Sequence, residues 1–272
     1  MKIVAIDLDG TLLHSDCTIS SYSKEVIAEA GKNGIMVVPT SGRSFRSIKN
    51  QVKDIEGVKY CICANGTLVG NIQTEELIHN YKIPQHFVYD IYKEVKERHG
   101  FIELYCDNDA YVEKEDIPVF YNTKMGKDFC DSLLSTDVKA LSYDLLLRRG
   151  TMRINKIHVA FPYPQELREF AAKIAKNENL VVTFPSEYNM EIFPKGCNKD
   201  VGIRILAEKY NIAHEDTVAI GDSDNDVAMI EYAHIGIAVA NAMEVLKEKA
   251  DYITKSNDED GPAIVLKKIL KK

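Results

Sequence analysis

The chain has 272 residues, with 41 Asp and Glu against 34 Lys and Arg and a formal net charge of -7. That length fits two domains of ordinary size better than one, and an acidic balance without a basic block excludes nonspecific nucleic-acid binding as a leading role. No apolar run approaches the roughly 20 residues that cross a bilayer. The N-terminus lacks the apolar length and cleavage site of a signal peptide, so a cytoplasmic location is expected.

The first element is Ile3-Val4-Ala5-Ile6, an unbroken apolar run that predicts a short strand buried on both faces, as in a parallel sheet. It runs into Asp7-Leu8-Asp9-Gly10-Thr11. Leu12 to Thr18 reads as a loop, and Val26, Ile27 and Ala30 space as one face of a helix ending near Gly34. Ile35 to Pro39 is a second buried strand, followed by Thr40-Ser41-Gly42-Arg43 and a helix to about Val52. Backbone N–H groups at such a helix start, with a hydroxyl, suit an anion. Tyr60 to Ala64 is a third strand, closed by Asn65-Gly66. Strand–helix–strand–helix–strand predicts a doubly wound, Rossmann-like α/β core.

From about Lys82 the pattern changes. Phe87, Val88, Ile91, Tyr92 and Val95 mark an amphipathic helix. Ile102, Leu104 and Cys106 alternate with Glu103 and Tyr105, and Ile157, Val159 and Phe161 alternate with Lys156 and His158. Such alternation predicts an antiparallel sheet with one wet face. Asn108-Asp109 reads as a hairpin turn, Leu167 to Ile174 as a second amphipathic helix, and Leu180 to Phe184 as a strand; 114–149 is expected to be partly helical. Residues 82–189 are therefore read as an inserted α+β domain, and 1–81 with 190–272 as the core. Buried-strand texture returns at Thr217–Ile220, Ile235–Val239 and Asp251–Thr254.

The six cysteines are scattered. Cys61 and Cys63 form a C-x-C with no second pair at metal-binding spacing, so they are read as buried and reduced. No histidine is assigned chemistry.

The chemistry is expected where the core strands end. Ligands of open α/β sheets bind at the carboxyl ends of the strands. Asp7 and Asp9 at i and i+2 repel each other unless a cation or a shared proton intervenes, and a hard divalent cation such as Mg2+ prefers such oxygen ligands. Read alone, a D-x-D is a turn after a strand, Lys199 a solvated helix-start lysine, and Asp222–Asp226 a polar turn or a calcium-like loop. That loop lacks the glycine and terminal glutamate of an EF-hand. Brought together at one sheet edge, Asp7, Asp9, Ser41, Lys199 and the Asp222–Asp226 loop suit phosphoryl transfer, where positioning and charge neutralisation do most of the catalysis.

These stretches resemble the haloacid dehalogenase superfamily. Asp7-Leu8-Asp9-Gly10-Thr11 is similar to its first motif and Ser41 before Gly42-Arg43 to its second. Lys199, in Lys195-Gly196-Cys197-Asn198-Lys199-Asp200, is similar to its third, and Gly221-Asp222-Ser223-Asp224-Asn225-Asp226 to its fourth. The resemblance extends to Asn241-Ala242 and Asn257–Gly261, and the position of the insertion resembles the C2 cap of the Cof-type phosphatases. Cys197 and Asp200 depart from the usual pattern.

The resemblance implies a nucleophile at Asp7 that forms an aspartyl-phosphate. It implies a general acid and base at Asp9, whose backbone carbonyl also meets Mg2+. Ser41 and Lys199 would hold the phosphoryl group, with Gly42, Arg43 and Asn225 as further phosphate or substrate contacts. Asp222 would join Asp7 and Asp9 at the metal, and Asp226 would orient Lys199 or a metal-bound water. The function implied is a Mg2+-dependent phosphatase of a small phosphorylated metabolite, such as a sugar phosphate or phosphorylated cofactor, with no nucleic-acid or membrane partner. A phosphomutase with a similar cap, or a non-catalytic binding protein, are the alternatives. Asn189 and Glu191 are read as lying on an ordinary strand.

Overall fold

A computed structural model describes residues 1–127, 130–131, 134, 138–140 and 142–271. The described chain forms two compact units, Met1–His79 with Asn198–Lys272, and Asn80–Cys197.

The first unit opens with β1 (Lys2–Asp7), whose Ile3, Val4, Ala5 and Ile6 are wholly buried. Helix Ser21–Lys32 follows; Ser20 caps it by accepting the Ser23 N–H at 2.9 Å, and Ser23, Val26, Ile27 and Ala30 form its buried face. Then come β2 (Ile35–Thr40), helix Phe45–Val52 and β3 (Tyr60–Cys63). Two further strands, β4 (Leu68–Asn71) and β5 (Leu77–Asn80), extend the sheet beyond β3. The strand pattern of the sequence does not announce them, because β4 is four residues long with Gly70 inside it and β5 is only half-buried.

In the second unit, β6 (Phe101–Cys106), β7 (Asp109–Val112), β8 (Val138–Ala140), β9 (Ile154–Ala160), β10 (Leu180–Ser186) and β11 (Asn189–Pro194) form one sheet in the order β10-β11-β9-β6-β7-β8. Its pairs are antiparallel except β7 with β8. Helices Gln85–Glu97 and Pro164–Ile174 pack apolar faces into a core with Ile102, Leu104, Ile157 and Val159. The hairpin turn is Asp107-Asn108, one residue earlier than expected, because Cys106 pairs with Asp109 and Asp107 takes the positive φ of 52°. Of 114–149, Ile117–Tyr121 and Asp144–Arg148 are helical, while 128–129, 132–133, 135–137 and 141 lie outside the described residues.

The face expected to be wet is buried. Glu103, Lys156 and His158 are all under 3% exposed. His158 Nδ1 lies 3.1 Å from Glu103 Oε2, Asn189 Nδ2 lies 3.0 Å from His158 Nε2, and Lys156 pairs with Glu191. Helix Ile117–Tyr121 lays Phe120 on Phe101, and His158 stands edge-on to both rings. Alternation reports polarity, and polar side chains that find partners need not face water. The chain leaves this unit at 197/198 rather than 189/190, because β11 is hydrogen-bonded between β10 and β9.

Back in the first unit come helix Lys199–Tyr210, β12 (Thr217–Gly221), β13 (Ile235–Ala238), β14 (Tyr252–Ile253) and helix Gly261–Leu270. The completed sheet runs β14-β13-β12-β1-β2-β3-β4-β5, parallel from β14 to β3. Strand order therefore reverses at β1, which lies between β12 and β2. That is the switch point at which open α/β sheets form a binding crevice.

Candidate active site

Register brings the acidic and hydroxyl groups level. Ile6 pairs with Ile220 on one side of β1, and Asp7 pairs with Thr40 on the other. Asp7, Ser41 and Asp222 thus leave three neighbouring strands at the same edge. The chain then turns through Leu8–Leu12, where Asp9 is extended (φ -77°, ψ 117°) and Gly10 takes φ 78°. A Cβ on Gly10 would lie 2.6 Å from Asp222 Oδ2, so only glycine allows the Asp222 carboxylate this close.

Lys199 comes from another part of the chain. It begins helix Lys199–Tyr210, and the backbone at Asn198-Lys199 presses on Gly66, where any Cβ would collide with the Asn198 carbonyl. Its ammonium is 1% exposed and donates to Asp7 Oδ1 and Asp226 Oδ1, each at 2.6 Å, and to Asn225 Oδ1 at 3.0 Å. Asp226, fully buried, uses its other oxygen to accept the N–H groups of Asp222 (2.9 Å) and Ser223 (3.1 Å). One carboxylate thus folds the loop and grips the lysine. Asp222 Oδ1 accepts from the Thr11 hydroxyl at 2.9 Å.

Among the described residues, Asp7, Asp222 and Asp226 are the group of three acidic side chains that converge, with ligand oxygens within 4.8 Å of one another. With all three ionised, the carboxylates around one ammonium would leave two negative charges uncompensated. The titration shifts follow. Burial holds the Asp7 carboxyl well above the usual carboxylate range; Asp226 pushes the same way and Lys199 opposes. Asp222 is pushed up to about 6 by burial and Asp226, against the Thr11 hydrogen bond. Burial alone would lower the Lys199 ammonium, but Asp226 and Asp7 outweigh it and hold it above its usual value. An all-oxygen donor set with an excess charge of two fits a hard divalent cation.

Asp9, Ser41 and Arg43 form a second group. The Asp9 carboxylate lies outside the acidic trio and is half-exposed. Arg43 donates to both its oxygens, at 2.6 and 2.9 Å, and the Ser41 hydroxyl donates to it at 3.4 Å. Ser41 is buried and its Oγ accepts the Arg43 N–H at 3.2 Å. The expected helix-start amides are not at Ser41: its own N–H donates to Ile62 O, and the helix begins at Phe45 with Ser44 as its cap. Gly42 lies in the turn between Ser41 and that cap. Thr11 and Asn241 were not singled out as site residues. Thr11 could have been, as the one hydroxyl inside the first motif. Asn241 lies in a stretch that the resemblance covers, but its role does not show there: the Nδ2 that donates to Gly10 O at 2.7 Å is seen only in three dimensions. Cys61 and Cys63 are buried with sulfurs 3.4 Å apart, all six cysteines are unpaired, and Cys17 is exposed.

A family model described as haloacid dehalogenase-like hydrolase matches residues 4–266. The chain is 28% identical to the 5-amino-6-(5-phospho-D-ribitylamino)uracil phosphatase YcsE of Bacillus subtilis, across 97% of this chain and 93% of that protein. It is 27% identical to the phosphatase YwpJ of the same organism, across 99% of this chain and 100% of that protein. A crystal structure of a haloacid dehalogenase-like hydrolase from Bacteroides thetaiotaomicron superposes with a TM-score of 0.86, at 27% identity, covering 98% of this chain and 99% of that one. No helix among the described residues is long and apolar enough to cross a membrane.

Proposed function

This chain belongs to the haloacid dehalogenase-like hydrolase family, and on that premise we propose that it is a Mg2+-dependent phosphatase of small phosphorylated metabolites, carrying the phosphoryl group on Asp7. The observation that carries the reading is the buried Asp7–Lys199–Asp226 bridge with Asp222 beside it, a site with an excess charge of two at a parallel-sheet edge. Both Bacillus relatives are named as phosphatases, one for a phosphorylated ribitylamino-uracil. A phosphorylated polyol or sugar is the substrate class this likeness favours here. The unpaired cysteines suit a reducing, cytoplasmic setting.

Asp7 and Asp222, with the Asp9 backbone carbonyl, are the proposed Mg2+ ligands; Asp226 is assigned to Lys199 and its own loop. When bound, the cation neutralises the charge of the carboxylates and of the phosphoryl oxygens. The Asp7 carboxylate then attacks phosphorus, forming the Asp7–phosphorus bond as the bond to the leaving oxygen breaks. Asp9 gives that oxygen its proton. Asp9, now ionised, takes a proton from water, which attacks the aspartyl-phosphate, breaks the Asp7–phosphorus bond and frees phosphate. Lys199, the Ser41 hydroxyl and Asn225 hold the phosphoryl group. For the first step Asp9 must leave Arg43, take up a proton from solvent and turn to the leaving oxygen. The Asp9 carboxylate is half-exposed, so water can replace Arg43 at its oxygens as it turns. Arg43 would then turn toward the substrate.

Phosphate release across a panel of phosphorylated sugars, polyols and cofactors tests the reading. Release with Mg2+, lost on EDTA and restored by Mg2+, is expected. Full activity in metal-free buffer, or an isomerised product without free phosphate, would overturn it.

A further inference from the structure

Gly10 sits between the two parts of the site, with Asp9 before it and Thr11, the partner of Asp222, after it. Glycine has the freest backbone of any residue; the Leu13 N–H donating to Leu8 O at 2.8 Å closes the turn around it, and two contacts from outside the turn act on Gly10 itself. One restraint is the Asp222 carboxylate packed against its Cα. The other is on its carbonyl, which accepts from Asn241 Nδ2 at 2.7 Å.

The sense of the Asn241 amide is fixed. Its Oδ1 accepts the backbone N–H of Asn257 at 2.9 Å; a backbone N–H can only donate, so the amide nitrogen must face Gly10. The buried Asn257 then donates from its own Nδ2 to Leu13 O at 2.9 Å, at the far end of the same turn. The loop bearing Asn241 is itself anchored to the other acidic segment. The Val239 N–H donates to Gly221 O at 3.1 Å, and the Met243 N–H to Asp222 O at 2.8 Å. One loop therefore holds the backbone of Asp222 on one side and the backbone next to Asp9 on the other.

We propose that Asn241 is a positioning residue that sets the Asp9 turn against Asp222, with Asn257 holding the Asn241 amide in the sense this requires. The inference rests on the acid–base reading of Asp9 given above. Asn241 is exposed, so its removal opens no cavity, and its effect should fall on geometry. Misplacement of a catalytic group by about 1 Å can cost on the order of 10²-fold in rate.

The test is a double-mutant cycle with glycerol phosphate at saturating Mg2+. Asn241→Ala should lower kcat by about 10-fold or more, with KM changed less than about threefold and thermal unfolding unmoved. In the Asp9→Asn background the same substitution should cost less than about threefold, because the side-chain route to the chemistry is gone and saturating Mg2+ compensates any shift of the Asp9 backbone carbonyl. An equal loss in both backgrounds, or no loss in the parent, would overturn the proposal. If Asp9→Asn alone leaves kcat unchanged, the acid–base reading falls, and this inference with it. Should Asn241→Ala fold poorly, Asn241→Asp gives the same cycle: it keeps the acceptor for the Asn257 N–H and removes the donor to Gly10.

Discussion

At Lys199 one ammonium, 1% exposed, serves two buried carboxylates and an amide oxygen. Removing one partner of a buried ion pair leaves uncompensated charge and typically costs about 3–5 kcal/mol. Lys199→Ala should therefore lose about 3 kcal/mol in urea denaturation, and added Mg2+ should return part of that loss, because binding to the folded state stabilises it. Unchanged stability without metal would mean that the acidic trio does not rely on this lysine. At this scale much of the site was legible in the sequence. Asp7 and Asp222 each come directly after an apolar run read as a buried strand, with Asp226 in the loop that follows the second, so their meeting at one edge follows from a parallel sheet. The partner of Asp9 was not legible. A half-exposed carboxylate chooses among neighbours by rotamer, and Arg43 becomes its neighbour only once β1 and β2 stand side by side.

Between elements, Asp260 ties the two ends of the core chain together. It precedes helix Gly261–Leu270 in the left-handed region (φ 56°) and accepts from Ser20 Oγ at 2.5 Å and Ser23 Oγ at 2.8 Å, with His14 Nε2 at 3.1 Å. Burial would raise its carboxyl, but these hydrogen bonds outweigh burial and hold it below its usual 3.8. A carboxyl lowered by folding adds stability above its unfolded pKa and gives it up as pH falls through the folded one. Asp260→Ala should cost about 1–2 kcal/mol at pH 7, and the gap from the parent should narrow as pH drops below 3.8. A gap that widens with acid would reverse the assigned sign. Elements with a clear period, such as helix Ser21–Lys32 and β12, are readable from spacing alone. The face of β6 and β9 that carries Glu103, Lys156 and His158 was misread as wet, because a sequence shows that side chains are polar and not that they have found one another.

Among the described residues, one hydrophobic core lies in the first unit and two lie in the second, a division that implies two cooperative units. Calorimetry should show a calorimetric enthalpy above the van't Hoff value, with Mg2+ raising only the transition of the unit that contains Asp7. One transition with equal enthalpies would show that the two units unfold as one. Where the inserted unit ends could not be read from composition: β11 is as apolar as a core strand, and only its pairing with β9 and β10 assigns it. The central claim is that phosphoryl transfer runs through Asp7, and rapid-quench mass spectrometry of the enzyme turning over a phosphorylated sugar with Mg2+ tests it most directly. The account predicts a phosphoryl mass increment on the peptide containing Asp7, absent from Asp7→Asn, which should also release no phosphate. Phosphate release by Asp7→Asn at the parent rate, with no increment on that peptide in either protein, would contradict it.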